Sequence, residues 1–304
     1  MPIAVLLAFA SIVVDPPAPA AMSPASIAAP AVRERSLDAG GVRIRFIEAG
    51  LENGEPVLLV HGFWDSIEVT WASTGVIENL AADHRVLALD CRGHGGSDKP
   101  HSPGAYGMNM IEDLARVLDG AGIKRAHIVG HSMGAHLSLR FAVAHPHRVR
   151  TLTVIGAGAA PAGGDSAVME RIADSLERDR SFRPLIEFIW PADAPRPTPE
   201  EITAIDTEAL KTNDPLALAA IAKAYGELSV TDAQARALPM PIFAVTGTND
   251  PMTADVRRLA AAVGEVPITY VQGADHIDIM ARPELVEALR LRILNVSKSA
   301  SRDE

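Results

Sequence analysis

Ser132 stands between two glycines in the stretch Gly130-His-Ser-Met-Gly134, after the apolar run Ala126–Val129 and before a segment with helical spacing. Small neighbours let a backbone bend sharply, and a strand-to-helix turn of this kind pushes a serine hydroxyl into the open as a nucleophile. A serine hydroxyl barely ionises at neutral pH, so it needs a base to take its proton as it attacks a carbonyl. Two further residues follow apolar runs in the same way: Asp250 after PIFAV, in TGTND, and His276 after ITYV, in QGADH. His276 is suited to take the Ser132 proton. Asp250 is suited to hold the imidazole in the correct tautomer and to stabilise the imidazolium that forms.

The elements that must position these groups are legible as patterns. VRIRFIEAG alternates, with Val42, Ile44 and Phe46 on one face and arginines on the other, which predicts a half-exposed antiparallel strand. PVLLVHG, HRVLALD, AHIVGHS, RTLTVIG, PIFAVTG and ITYVQG are continuous runs of apolar, mostly β-branched residues and leucine, which predict strands covered on both faces. Helical spacing falls between them, at Ile111-Leu114-Val117-Leu118, Leu137-Phe141, Val256-Leu259-Val263 and Leu285-Leu289-Ile293. Alternating strand and helix predicts an α/β fold, a mostly parallel, doubly wound sheet with helices on both faces. Residues 157–238 break the rhythm: they contain helical patterns and no convincing strand, and are read as a helical cap inserted between two strands. In an open parallel sheet ligands collect at the carboxyl ends of the strands, where Ser132, Asp250 and His276 all fall.

The order Ser, Asp, His, with HGF at His61–Phe63, DCRGHGGSDKP at Asp90–Pro100, GHSMG, TGTNDP and GADH, resembles the α/β-hydrolase superfamily over Arg33 to about Val296. The resemblance implies a core of residues 33–156 and 239–296. It also implies an oxyanion hole from two backbone N–H groups, those of Met133 and Phe63. Asp165 is the alternative acid, because some relatives carry it after the preceding strand. His61 and His131 are read as supports for the loop and elbow, and Asp275 and Asp278 as neighbours pointing elsewhere. In this superfamily haloalkane dehalogenases and most epoxide hydrolases carry Asp at the elbow, so Ser132 implies acyl transfer to water. The expected reaction is hydrolysis of a small, apolar carboxylic ester. Lactone hydrolysis, cleavage of a carbon–carbon bond beside a ketone, and a non-catalytic binding role remain alternatives. Pocket residues are expected among Trp64, Phe182, Phe188, Trp190 and Tyr225, which could equally be packed core.

The totals set outer limits. A chain of 304 residues with 48% hydrophobic content can bury a large core. A net charge of -10 without a sustained basic block argues against a nucleic-acid surface. The partner expected is a small molecule; no metal and no cofactor motif is recognised, and the oligomeric state is not legible. The single cysteine, Cys91, excludes an intrachain disulfide and is read as a small semi-buried residue. Residues 1–32 open with MPIAVLLAFASIVV, too short to span a bilayer, followed by Ala18-Pro19-Ala20 and a Pro/Ala-rich linker. This predicts a signal peptide and a secreted or periplasmic protein; a disordered tail on a cytoplasmic chain, starting at Met22, is the alternative. Residues 297–304 are expected to form a tail.

Overall fold

The structure is a computed structural model that describes residues 32–159, 166–191, 193–264 and 266–300. The expected signal peptide and linker, and Asp165, lie outside the described residues.

Eight strands form one sheet in the order β1-β2-β4-β3-β5-β6-β7-β8. They are β1 (Arg33–Asp38), β2 (Arg43–Gly50), β3 (Glu55–Val60), β4 (His84–Leu89), β5 (Ala126–His131), β6 (Val149–Ile155), β7 (Ile242–Gly247) and β8 (Ile268–Val271). The β1–β2 and β2–β4 pairs are antiparallel and all others parallel. Strands β3 to β7 carry Val, Leu and Ile on both faces because both faces are covered. One face packs Leu58, Val60, Ile128, Leu152 and Val154 beneath helices; the other packs Val57, Leu59, Val129, Ile155 and Val245.

The helices are α1 (Val76–Ala81), α2 (Met108–Gly120), α3 (Met133–Ala144), α4 (Ser166–Arg178), α5 (Arg183–Ile189), α6 (Pro199–Ala209), α7 (Pro215–Ala224), α8 (Asp232–Arg236), α9 (Thr253–Val263) and α10 (Pro283–Ala300). Helices α4 to α8 all lie between β6 and β7. Their starts are written locally. Thr198 and Glu201 form a reciprocal capping box at α6, Asp214 accepts from the Leu216 and Ala217 amides at α7, and Thr231 with Gln234 caps α8. Each arrangement satisfies amides that the first helical turn leaves without partners.

Two features depart from the sequence reading. Strand β1, of sequence RERSLD, is almost wholly exposed and belongs to the sheet by pairing with β2 at its edge. A charged edge strand carries no apolar alternation to reveal it, and its charges guard the open edge. At the other terminus the backbone of α10 continues to Ala300, past the expected start of a tail at residue 297. The apolar stripe that predicts the helix ends at Ile293, whereas backbone hydrogen bonding carries it further.

Candidate active site

The elbow follows from three side-chain choices. Ser132 has φ 53° and ψ -118°, and it shares positive φ with Arg180 alone among described non-glycine residues. A side chain in that region is strained, and the packing around it must hold it there. Gly130 and Gly134 make that packing possible. A Cβ on Gly130 would lie 2.2 Å from the Gly134 carbonyl oxygen, and one on Gly134 would lie 2.0 Å from the Val60 carbonyl oxygen and 2.7 Å from that of His61. Helix α3 therefore starts directly against the end of β3, with no room for any side chain between. The Ser132 amide donates to the Ile155 carbonyl at 2.9 Å, tying the turn to β6 as well.

From this turn a hydrogen-bonded path runs across three loops. His276 Nε2 lies 2.9 Å from Ser132 Oγ, and His276 Nδ1 lies 3.1 Å from both Asp250 carboxylate oxygens. His276 and Asp250 are buried, while Ser132 stays partly accessible. Because a carboxylate only accepts, Nδ1 carries a proton, and the neutral ring then presents the Nε2 lone pair to the Ser132 hydroxyl. Burial works against protonation of His276, but Asp250, with Asp275 and Asp65 behind it, outweighs burial and raises its pKa above the ordinary value of 6.5. Asp250 is itself fixed by the Met252 amide, which donates to Oδ1 at 2.8 Å. The turn after His276 is held by Asp275, whose Oδ1 accepts from the Ile277 and Asp278 amides. These bonds aim the Asp275 carboxylate into its own turn.

The amides of Phe63 and Met133 are both in buried residues, and neither donates a hydrogen bond within the described protein. Met133 follows Ser132 directly in the chain, and Phe63 lies in the loop after β3. Their surroundings are held by neutral histidines. His94 Nε2 donates to the Phe63 carbonyl at 2.6 Å; burial pushes its pKa down to about 3. His61 donates from Nδ1 to the Gly62 carbonyl and accepts the Cys91 amide at Nε2, again with a pKa lowered by burial, to about 4. His131 Nε2 donates to the His276 carbonyl at 3.1 Å, joining the elbow to the histidine loop. Cys91 is free and buried, and burial raises its thiol pKa.

A cavity of about 540 Å³ reaches His131 and Ile277, the chain neighbours of Ser132 and His276, while Ser132, His276 and Asp250 themselves lie outside its lining. Trp64, Asp65 and Thr70 line it from the loop after β3, His131 and Ile277 from the elbow and histidine loops, and Ile205 from α6. Trp64 is thus the one expected pocket residue in its wall. Phe182 is fully buried and packs edge-on against Trp64 at 5.5 Å. Trp190 donates to the Pro195 carbonyl, Tyr225 meets His136 Nδ1 at 2.7 Å, and Phe188 packs against the core. These four lie outside this cavity's lining. Sequence reasoning missed Asp65, whose carboxyl is raised by burial to about 6, and Asn213, which donates to the Trp64 carbonyl at 2.9 Å. Both are single polar residues in irregular segments, where no periodicity marks them. Among the described residues no group of three or more His, Cys, Asp or Glu is placed to hold a metal ion, and no helix is long and apolar enough to cross a membrane.

Comparison with known proteins agrees with the topology. Residues 55–183 match the family model described as alpha/beta hydrolase fold. The chain is 38% identical over 125 residues to a 2-hydroxy-6-oxo-2,4-heptadienoate hydrolase of Pseudomonas putida, a match covering 40% of this chain and 44% of that one. It is 38% identical over 130 residues to epoxide hydrolase A of Mycobacterium tuberculosis, covering 42% of this chain and 39% of that one. The chain thus spans less than half the length of these curated relatives. A thermophilic esterase from Thermogutta terrifontis superposes with a TM-score of 0.71 at 24% identity, over 87% of this chain and 99% of the esterase.

Proposed function

The chain has the α/β-hydrolase fold, and on that footing we propose that it is a serine hydrolase that cleaves a small carboxylic ester through an acyl-enzyme intermediate. The observation that carries this reading is the unbroken path from Ser132 Oγ through His276 to Asp250. Ser132 Oγ attacks the ester carbonyl carbon while His276 Nε2 takes its proton, and the carbonyl π electrons move to oxygen as an oxyanion. The Phe63 and Met133 amides are its donors. The intermediate collapses, the carbon–oxygen bond to the alcohol breaks, and His276 returns the proton to the leaving oxygen. Water then repeats the sequence against the acyl-serine, giving the acid and free Ser132. Asp250 stays ionised throughout and stabilises the imidazolium.

In this reading residues 157–238 form a cap over a core of residues 33–156 and 239–296. The likeness to an epoxide hydrolase does not redirect the chemistry, because the alkyl adduct that serine would form by opening an epoxide is an ether, with no acyl carbon for water to attack. The likeness to a carbon–carbon bond hydrolase supports a second substrate class for the same serine.

The test is turnover of p-nitrophenyl acyl esters by the wild type and by Ser132→Ala, with 2-hydroxy-6-oxo-2,4-heptadienoate assayed in parallel. Ester turnover that falls by on the order of 10³-fold or more in the variant supports the proposal. Turnover of the dienoate alone moves the assignment to the second class, and turnover of neither contradicts catalysis.

A further inference from the structure

Asp65 is a largely buried carboxylate that the reaction scheme leaves without a task. Its side chain is 12% exposed, and its Oδ2 stands 3.9 Å from His131 Nδ1. The carboxylate accepts from the Gly62 amide and the Thr70 hydroxyl. A Cβ on Gly62 would lie 2.6 Å from Asp65 Oδ2 and 3.3 Å from His131 Nδ1, so carboxylate and ring close on that glycine with no room for a side chain. The other end of Gly62 is also held, because His61 Nδ1 donates to its carbonyl at 2.8 Å. That carbonyl and the Phe63 N–H belong to one planar peptide and point in opposite directions. With both ends of Gly62 bonded, the direction of the Phe63 N–H is fixed.

The Asp65 charge has no cationic partner in the resting site. Among the described residues it pairs with no Lys or Arg, and Arg45, which shares the cavity lining, is committed to Glu34, Glu68 and Asp90. His131 is neutral: burial, with His276 beside it, lowers its pKa to about 3, and its proton sits on the Nε2 that donates to the His276 carbonyl. His131 Nδ1 is closed to solvent, and the His131 and His276 rings lie 5.3 Å apart, inclined by 35°. The path from Asp65 to His276 therefore runs through a buried ring rather than water, and a charge is felt more strongly across such a medium. A buried anion without a cation is costly. The cation that offsets it forms only as His276 takes the Ser132 proton, and an interaction gained only in the transition state raises kcat without lowering KM.

We propose that Asp65 is a positioning residue for the proposed hydrolysis, fixing the loop that carries the Phe63 amide and placing a further negative charge on the His131 side of His276. The kinetic meaning of this inference rests on the hydrolase reading, whereas the coupling of Asp65 to His276 belongs to the fold alone.

The groups that face each other set the sign of the pH dependence. His276 is faced by Asp250 from the loop after β7, by Asp275 from its own loop, by Asp65 and by the neutral His131 ring. Asp65 is faced by Thr70 from the turn Ile67–Ala72, by the Gly62 amide, by His276 and by His131. Burial raises the Asp65 carboxyl to about 6, so it is ionised at pH 7.5. Each carboxylate favours the imidazolium. Removing the Asp65 charge therefore lowers the His276 pKa and moves the acid limb of kcat/KM to lower pH. The same loss destabilises the imidazolium of the transition state, so plateau kcat falls by about the same factor.

The experiment measures kcat and KM for p-nitrophenyl acetate from pH 5 to 9 in the wild type and in Asp65→Asn. Asparagine keeps a carbonyl oxygen for the Gly62 amide and removes the charge. The acid limb of the variant is expected about 0.5 to 1 pH unit below that of the wild type, with plateau kcat about 3- to 10-fold lower and KM within twofold. A limb that stays in place or moves to higher pH overturns the proposal. Nuclear magnetic resonance titration of the wild type reads the same coupling without turnover, and serves if the variant fails to fold or the protein hydrolyses no ester. The Asp65 carboxyl carbon should show its own step near pH 6 and a second step that tracks the His276 ring. A single step that ignores His276 overturns the proposal. Coupled steps in a protein that turns over no ester support the Asp65 assignment and count against the hydrolase reading alone.

Discussion

Gly134 sits so close to Val60 that a single added methyl group would lie 2.0 Å from the Val60 carbonyl oxygen. Neither atom belongs to a flexible side chain, so relief requires moving α3 away from β3. Gly134→Ala is therefore expected to destabilise the fold by about 2 to 3 kcal/mol, the upper range for overpacking, and to displace the Met133 amide. Urea unfolding measures the first effect and kcat the second. Stability within 0.5 kcal/mol of wild type, about the usual limit for a surface substitution, would contradict this packing.

The acid side of the activity profile follows from His276. The ring must be neutral to accept the Ser132 proton, so kcat/KM should fall as pH drops through its pKa, which the neighbouring carboxylates hold above 6.5. Asp250→Asn removes the largest of the influences that raise this pKa. The variant should lose on the order of 10⁴-fold in kcat through the wrong tautomer, and its residual activity should titrate at lower pH. A profile unmoved by the substitution would place the controlling acid elsewhere, with Asp165→Asn the next variant to titrate.

Stability has its own pH dependence with the opposite cause. Burial lowers His61 to about 4 and His94, His127 and His131 to about 3. Each is neutral in the folded protein where the unfolded chain, titrating near 6.5, is already protonated. As pH falls below 6.5 the unfolded state binds protons that the folded state refuses, and stability is lost at up to about 1.4 kcal/mol per pH unit for each ring. Four rings give a slope of roughly 5 kcal/mol per unit, against a total stability on the order of 10 kcal/mol. Acid unfolding is expected to be centred near pH 4 to 5, seen by circular dichroism, and replacing His94 with Asn should move it lower. Full stability down to pH 3 would contradict the burial of these rings.

Much of the site was legible because its chemistry sits in short local motifs at strand ends. Gly130 and Gly134 announce the elbow, and β5 and β7 are recognisable as buried runs before Ser132 and Asp250. What was hidden depends on tertiary contact. Strand β1 exists by pairing, not by pattern, and five-residue α8 is too short to show a helical period. For Phe182 the pattern leaves pocket and core open, because large rings fill a core as readily as a site; its ring is fully buried and packs edge-on against Trp64. Asp65 was invisible because its meaning comes from His131, which lies 66 positions later in the chain and 3.9 Å away in space.

The segment after α6 makes a further demand on Trp64. Asn213, just past α6, donates to the Trp64 carbonyl, so this bond fixes part of the cavity wall without touching the reacting atoms. Asn213→Ala should raise KM for long esters by about 3- to 10-fold, a loss of about 1 kcal/mol for one hydrogen bond, while kcat for short esters stays within twofold. Equal loss on short and long esters would mean that the contact supports the fold rather than the cavity.

Covalent trapping asks whether the Ser132 hydroxyl is the attacking atom, as proposed. A small p-nitrophenyl alkylphosphonate, incubated with the wild type at pH 8, should add one phosphonyl group, release one equivalent of p-nitrophenol, and map by peptide mass to Ser132. Ser132→Ala should remain unlabelled while retaining the wild-type unfolding transition. Labelling of another residue, or an unmodified wild type that is fully folded, would contradict it.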